Sequence, residues 1–331
     1  MAKMRGKALW YVGPGRAEMR EEAVAAPKAG EARVRALFGS ISRGTERLVH
    51  AGRVPASEYE RMRAPFMGGA FPFPVKYGYA TVGRVEAGPP ELRERVVFSL
   101  HPHQSLFTLP AAAAFPVPDN VPPRRAVLAA NMETALNAVW DGAPGPADRI
   151  AVVGGGLVGL LIAHLCARLP GAEVTVVDIA TRRAGIAEAF GARFAEPRAA
   201  PADCDLVFHA SGTAAGLVTA LRLAGEEASV VELSWYGSAE VPVPLGEAFH
   251  SRRLRLVSSQ VGKVAPSHRS RWTHGRRLAA ALALLDAPAL DLLIAPGLAF
   301  DDLPAQLPSV FGPDSDVICP LIRYPAADET E

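Results

Sequence analysis

Hydrophobic residues fall into two patterns along the chain. Up to about residue 120 they form short β-prone runs, at 7–12, 31–38, 80–86 and 95–100, separated by clusters such as Gly13-Pro14-Gly15 and Gly88-Pro89-Pro90. Runs of that length bounded by glycine and proline predict strands joined by turns. Pro116, Pro118, Pro122 and Pro123 mark a boundary, and residues 124–140 have helical spacing. Beyond Pro146 the pattern changes. Residues 150–154, 173–178, 205–211 and 229–235 are almost wholly apolar, with helical stretches at 157–169, 182–190 and 214–223 between them. Strands without polar alternation are buried on both faces, as in a parallel sheet covered by helices. The alternation therefore predicts an α/β, doubly wound domain. Residues 253–261 supply a further strand to close the sheet, and the chain from Trp272 returns to mixed structure.

The turn after the first apolar run is Gly154-Gly155-Gly156-Leu157-Val158-Gly159. A G-x-G-x-x-G between a strand and a helix is the dinucleotide-binding fingerprint. Gly154 permits the tight turn, Gly156 lets backbone approach a pyrophosphate, and Gly159 lets helix pack on strand. The N–H groups at Leu157 and Val158 begin the helix and face the phosphates. Asp178 ends the second run, 19 residues past Gly159. A carboxylate there binds ribose hydroxyls and repels a 2′-phosphate, which favours NAD over NADP. Arg182 and Arg183 follow closely and leave pairing with a phosphate open. Ser211, Gly212 and Ser234 are expected at strand ends, where ligands of such sheets bind.

The bulk numbers narrow the class. At 331 residues, 49% apolar and 21% charged, the chain suits two soluble domains. A net charge of +1 gives no nucleic-acid or membrane-surface footprint. The N-terminal residues lack the apolar core of a secretory signal. Cys166, Cys204 and Cys319 have no paired spacing, which fits a reducing cytoplasm and no structural metal knuckle.

Two N-terminal segments carry a family resemblance. Ser40-Ile41-Ser42-Arg43-Gly44-Thr45-Glu46 is similar to the GICGTD segment of the medium-chain dehydrogenase/reductase superfamily, and residues 77–85 to its PGHE segment. Within it the chain looks most like bacteriochlorophyllide dehydrogenases and zinc-alcohol-dehydrogenase-like proteins. The resemblance implies a GroES-like β-rich catalytic domain (1–120), a Rossmann domain (121–262) and a C-terminal return to the first domain (263–331). It also implies an active site between the domains and a homodimer joined at 253–261. Where the zinc members carry a cysteine ligand this chain has Ser42 or Arg43, depending on a one-residue gap; where they carry histidine it has Tyr79. The third ligand region, 129–134, offers only Glu133. No catalytic zinc is therefore expected.

Without a metal, hydride transfer needs hydrogen-bond donors and a proton relay. Ser42, Thr45 and Tyr79 are the candidates, with Tyr77 as a packing neighbour and Glu46 and Glu133 as charged orienters. His103, in His101-Pro102-His103 after the strand at 95–100, is expected to face the cleft as acid or base. Trp235 and Tyr236 suit a ring-shaped small-molecule substrate. The leading reading is zinc-independent transfer of hydride between NAD(H) and a secondary alcohol or ketone. Enone or quinone reduction, a non-catalytic nucleotide sensor, and a metal at His101/His103 with Glu46 or Glu133 are the alternatives.

Overall fold

The computed structural model describes residues 4–325. Contacts divide the chain into two compact units, one running to Ala130 and resuming at Leu282, the other spanning Asn131–Ala281. The dividing lines fall there, not at residues 120 and 262, because residues 263–281 are held to the helix Ala129–Gly142. Trp140 stacks flat on His268 (4.1 Å, 5°) and packs on Trp272 (4.8 Å), while the buried Arg277 guanidinium pairs with Glu133 at 3.0 Å.

In the first unit β1 (Arg5–Gly13) and β2 (Arg16–Ala23) form a hairpin. Next come β3 (Glu31–Ser40), α1 (Arg43–His50), β4 (Thr81–Ala87), β5 (Val96–Ser99) and β6 (Leu106–Pro110). Strands β3, β4 and β5 pair antiparallel in that order, and β6 pairs with β3. The helix expected over 124–140 is two: Pro123–Ala126, a turn, then α2 (Ala129–Gly142).

The second unit continues with β7 (Arg149–Val153), α3 (Leu157–Cys166), β8 (Glu173–Val177), α4 (Ala184–Ala189), β9 (Arg193–Ala195), β10 (Cys204–His209), α5 (Ala214–Leu223), β11 (Ala224–Glu232), β12 (Arg255–Ser258) and α6 (His274–Ala283). Its sheet is parallel throughout, in the order β9-β8-β7-β10-β11-β12. β7 and β8 are buried at every residue but the first, as an apolar strand between helix layers must be. The chain runs outward from β7 to β9 and then returns to β10. That reversal is a topological switch point, where strand ends open a crevice for ligands.

The first unit is completed by α7 (Leu303–Phe311) and β13 (Leu321–Arg323), which pairs with β3. Arg125 clamps the returning chain by gripping both oxygens of Asp291 at 2.9 and 2.7 Å. Among the described residues no helix is long and apolar enough to cross a membrane.

Candidate functional site

The glycine turn leaves β7 at the switch point. Gly154 has φ +112°, and a Cβ there would meet Ser211 N at 2.7 Å, so backbone alone fits between β7 and β10. A Cβ on Gly159 would lie 1.9 Å from the Gly154 carbonyl oxygen. A Cβ on Gly156, by contrast, meets nothing within 4 Å. Gly156 is the N-cap of α3, so the open space lies where the helix presents its first-turn N–H groups and positive end. A cradle that side chains would fill, at a helix N-terminus, fits a dinucleotide pyrophosphate.

Asp178, the residue after β8, borders this cradle. Its carboxylate accepts from Gly155 N–H at 2.5 Å and Ala180 N–H at 2.7 Å. Arg183 lies beside it, its side-chain stem 3.3 Å from where a Gly155 Cβ would sit. The carboxylate thus orders the turn.

Across the switch point a polar network joins the ends of β10 and β11. His209 is fully buried; its Nδ1 lies 2.7 Å from Glu232 Oε2 and its Nε2 2.7 Å from Ser211 Oγ. Glu232 also accepts from Ser234 N–H (2.6 Å) and Tyr236 O–H (3.1 Å). Gly212 N–H donates to Ser234 Oγ at 3.1 Å, and Thr213 caps α5 by accepting from Gly216 N–H. Ser211, Gly212 and Ser234 are therefore brought together. Sequence reasoning placed His209 in a sheet strand without a role. The available signal was its spacing: two residues before Ser211, it shares that side chain's face of the extended chain.

In the first unit, α1 and the segment after residue 76 assemble a hydroxyl cluster. The Ser42 and Thr45 hydroxyls lie near enough to the Tyr79 phenol to act on its acidity. Burial pushes this phenol up to about 12, Glu46 adds to the rise, and the two hydroxyls pull the other way. Tyr79 is half-buried, whereas Tyr77 is buried against Phe71 and meets Tyr79 edge-on at 6.1 Å. Behind the cluster Glu46 is fully buried and accepts from Ser42 N–H (2.8 Å), Tyr11 O–H (2.8 Å) and His103 Nε2 (2.9 Å). Returning its carboxylate to the N-cap N–H makes Glu46 a capping-box acid and frees the Ser42 hydroxyl from that duty.

His103 is therefore not where it was expected. It is fully buried, because β1 takes its carbonyl (Leu9 N–H, 3.0 Å) and Tyr77 its N–H (3.3 Å). The loop is thereby drawn inward, behind Gly78, where φ is +118° and a Cβ would lie 2.7 Å from the imidazole, leaving no room for a side chain. Nδ1 of His103 has no hydrogen-bond partner, which fits the tautomer that donates from Nε2 to Glu46. His101 stacks on Phe107 at 3.7 Å with Nδ1 on the Pro102 carbonyl, and burial pushes its imidazole down to about 3. The two histidines do not form a metal pair. Tyr11 was missed altogether: it lies 35 residues from Glu46, and no local spacing announces the bond.

No protein-family model matches the chain. Solved structures do resemble it. A short-chain alcohol dehydrogenase of Escherichia coli CFT073 in complex with NADH superposes with a TM-score of 0.76 at 18% identity, over 96% of this chain and 99% of that one. A candidate zinc-binding dehydrogenase of Sinorhizobium meliloti bound to NADP gives 0.76 at 19%, over 97% and 100%. L-Idonate 5-dehydrogenase of E. coli K-12 gives 0.77 at 16%, over 97% and 99%. The chain has the fold of these dehydrogenases. That fold pairs a GroES-like β-rich unit with a doubly wound Rossmann unit.

Because one such relative is described as zinc-binding, the donor set bears directly on a metal. Tetrahedral zinc takes thiolate, imidazole or carboxylate. Here the ligand positions hold Ser42 and Tyr79, a hydroxyl and a phenol pushed up to about 12. Arg43 spends its guanidinium on the carbonyls of Val310 and Val317. Glu133 is paired with Arg277. Among the described residues no three His, Cys, Asp or Glu side chains converge to hold an ion. These donors do not fit a catalytic zinc of that type.

The second unit also holds an open cavity of about 630 Å³, lined by Trp272, His274, Lys263, Arg269 and Asp141.

Proposed function

We propose that this protein is a nicotinamide-dependent oxidoreductase that moves hydride between NAD(H) and a secondary alcohol or its ketone without catalytic zinc. The observation that carries the reading is the Tyr79–Ser42–Thr45 cluster standing where zinc ligands would be, in a chain whose other unit bears an open glycine cradle. Bound NAD supplies the hydride acceptor, and NADH the donor. Gly154, Gly156, Leu157, Val158 and Gly159 seat the pyrophosphate, Asp178 and Arg183 border the ribose, and Ser211, Gly212 and Ser234 bind the remaining half. Asp178 supports NAD over NADP, although the structural relatives include one bound to each.

On the substrate, Tyr79 Oη donates its proton to the carbonyl oxygen in reduction and takes it back in oxidation. A phenol held near 12 stays protonated at neutral pH yet is far more acidic than the alcohol it forms, so transfer to a developing alkoxide is downhill. Ser42 and Thr45 stabilise the phenolate left behind and relay a replacement proton to it from solvent. Glu46, anchored by Tyr11 and His103, positions Ser42 at the start of α1; His103 acts through Glu46 and does not touch substrate.

A ring-bearing substrate agrees with Tyr236 and with Trp272 in the lining of the cavity. A homodimer agrees with β12, an edge strand whose Arg255, Leu256 and Ser258 are exposed. A reducing compartment agrees with three free, buried cysteines.

The deciding experiment measures NAD-dependent oxidation of a panel of secondary alcohols and NADH-dependent reduction of the matching ketones. Cyclohexenone and benzoquinone run alongside, with and without chelator. Turnover of alcohol and ketone that survives chelation is expected. Activity confined to enones or quinones would transfer the protein to double-bond reduction. NADH binding with no turnover would make it a sensor.

A further inference from the structure

A partly buried carboxylate stands at the strand ends beside the glycine turn, and the proton chemistry at Tyr79 does not use it. Glu232 closes β11 in register with His209 of β10, which is itself in register with Val153 of β7. A carboxylate drawn partly out of water is costly unless donors converge on it. Three do: His209 Nδ1, Ser234 N–H and Tyr236 O–H, within 2.6–3.1 Å. Burial pushes the carboxyl up, but His209 and Ser234 outweigh it and hold the group below the usual carboxylate range.

A dinucleotide crosses a doubly wound sheet at the switch point, with its adenosine half on one side and its second half on the other. Asp178 beside β8 marks the adenosine side here, so the nicotinamide half belongs to the ends of β10 and β11. The oxidised ring is a cation and the reduced ring is neutral. We propose that Glu232 is a specificity determinant for the oxidation state of the cofactor: its charge favours NAD+ over NADH. The inference rests on the dinucleotide reading but not on the identity of the alcohol.

The test is equilibrium binding of NAD+, NADH and ADP-ribose to the full-length protein, to Glu232→Gln and to Glu232→Asp. ADP-ribose lacks the nicotinamide and reports the cradle alone. In Glu232→Gln the ratio of the Kd for NAD+ to that for NADH should rise about tenfold, with ADP-ribose binding unchanged. Glu232→Asp should restore most of the preference. In the wild-type protein the Kd for NAD+ should lie below that for NADH, and the reverse order would overturn the proposal even where the Gln variant does not fold. Equal weakening of all three ligands in Glu232→Gln would reduce the carboxylate to a support for Ser234 and overturn the proposal. Failure of wild-type protein to bind any of the three would remove the cofactor reading itself.

Discussion

Replacing Gly156 by Ala separates folding from cofactor binding. The backbone there (φ −79°, ψ −176°) is extended, so alanine adopts it freely, and the new Cβ meets nothing within 4 Å. The one expected effect on folding is a smaller unfolded-state entropy, worth about 0.4–1 kcal/mol in favour of the native state and raising Tm by about 1–3 °C. Binding should respond oppositely. The methyl occupies the space through which a pyrophosphate reaches the N-terminus of α3. Losing two charge-assisted N–H contacts there costs about 3 kcal/mol, or about a hundredfold in Kd. Gly159→Ala is the contrasting variant, since its Cβ would sit 1.9 Å from a backbone oxygen that cannot move without the turn. It should lose about 1–3 kcal/mol of stability together with binding. Fluorescence titration of NADH and urea unfolding measure both quantities on the same samples. If Gly156→Ala binds NADH within about twofold of wild type, the turn is not the seat of the pyrophosphate.

Tyr79→Phe should lower kcat about 10²–10⁴-fold while leaving NADH affinity unchanged; equal turnover in the two proteins would leave Tyr79 a packing residue. Asp178→Ala should weaken NADH about tenfold and narrow the preference over NADPH, and an unaltered ratio of the two Kd values would reject its role at the ribose. Protein dialysed against a chelator should keep its turnover and hold far less than one zinc per chain by elemental analysis, whereas activity lost and then restored by zinc would refute the metal-free reading. Burial pushes His101 down to about 3, from about 6.5 in the unfolded chain, so the unfolded state takes up a proton that the folded state refuses. Stability is therefore complete above about pH 6.5 and falls toward about pH 3 by up to about 1.4 kcal/mol per unit; urea unfolding at about pH 7 and 5 should show that slope lessened in His101→Phe, and equal slopes would count against it.

The apolar strands were legible because burial on both faces leaves no polar alternation. Residues 150–154 and 173–178 shift by only a residue against β7 and β8. β9 was invisible: three residues, the first exposed, held by backbone pairing to β8, carry no pattern of their own. The break at Val127–Leu128 was equally hidden, since both residues are buried and apolar on either side of the turn. The glycine turn and Asp178 were legible because spacing along a single strand–turn–helix sets their geometry. The Glu46 centre was only half legible. Ser42, Thr45 and Glu46 lie on one segment, but Tyr11 and His103 reach the carboxylate from 35 and 57 residues away. His103 misled because a polar loop after a strand reads as exposed, and only the backbone bonds to Leu9 and Tyr77 draw it inward.

Both units solve the same physical problem at their chemical ends. A hydroxyl can serve a substrate or cofactor only if its orientation is fixed, and side-chain hydroxyls rotate freely unless a stronger acceptor orders their surroundings. Glu46, fully buried at the start of α1, and Glu232, partly buried at the end of β11, do this as carboxylates with several donors converging on each. Removing such an acceptor leaves buried donors unpaired, at about 1–3 kcal/mol apiece. Truncation of either glutamate therefore lowers stability and activity together and cannot separate them. Glutamine keeps the shape and one acceptor while removing the charge. At Glu46, where the ligands are a backbone N–H, a phenol and an imidazole, the charge supports the fold. At Glu232 the donors are an imidazole, a backbone N–H and a phenol, and the carboxylate keeps part of its surface exposed.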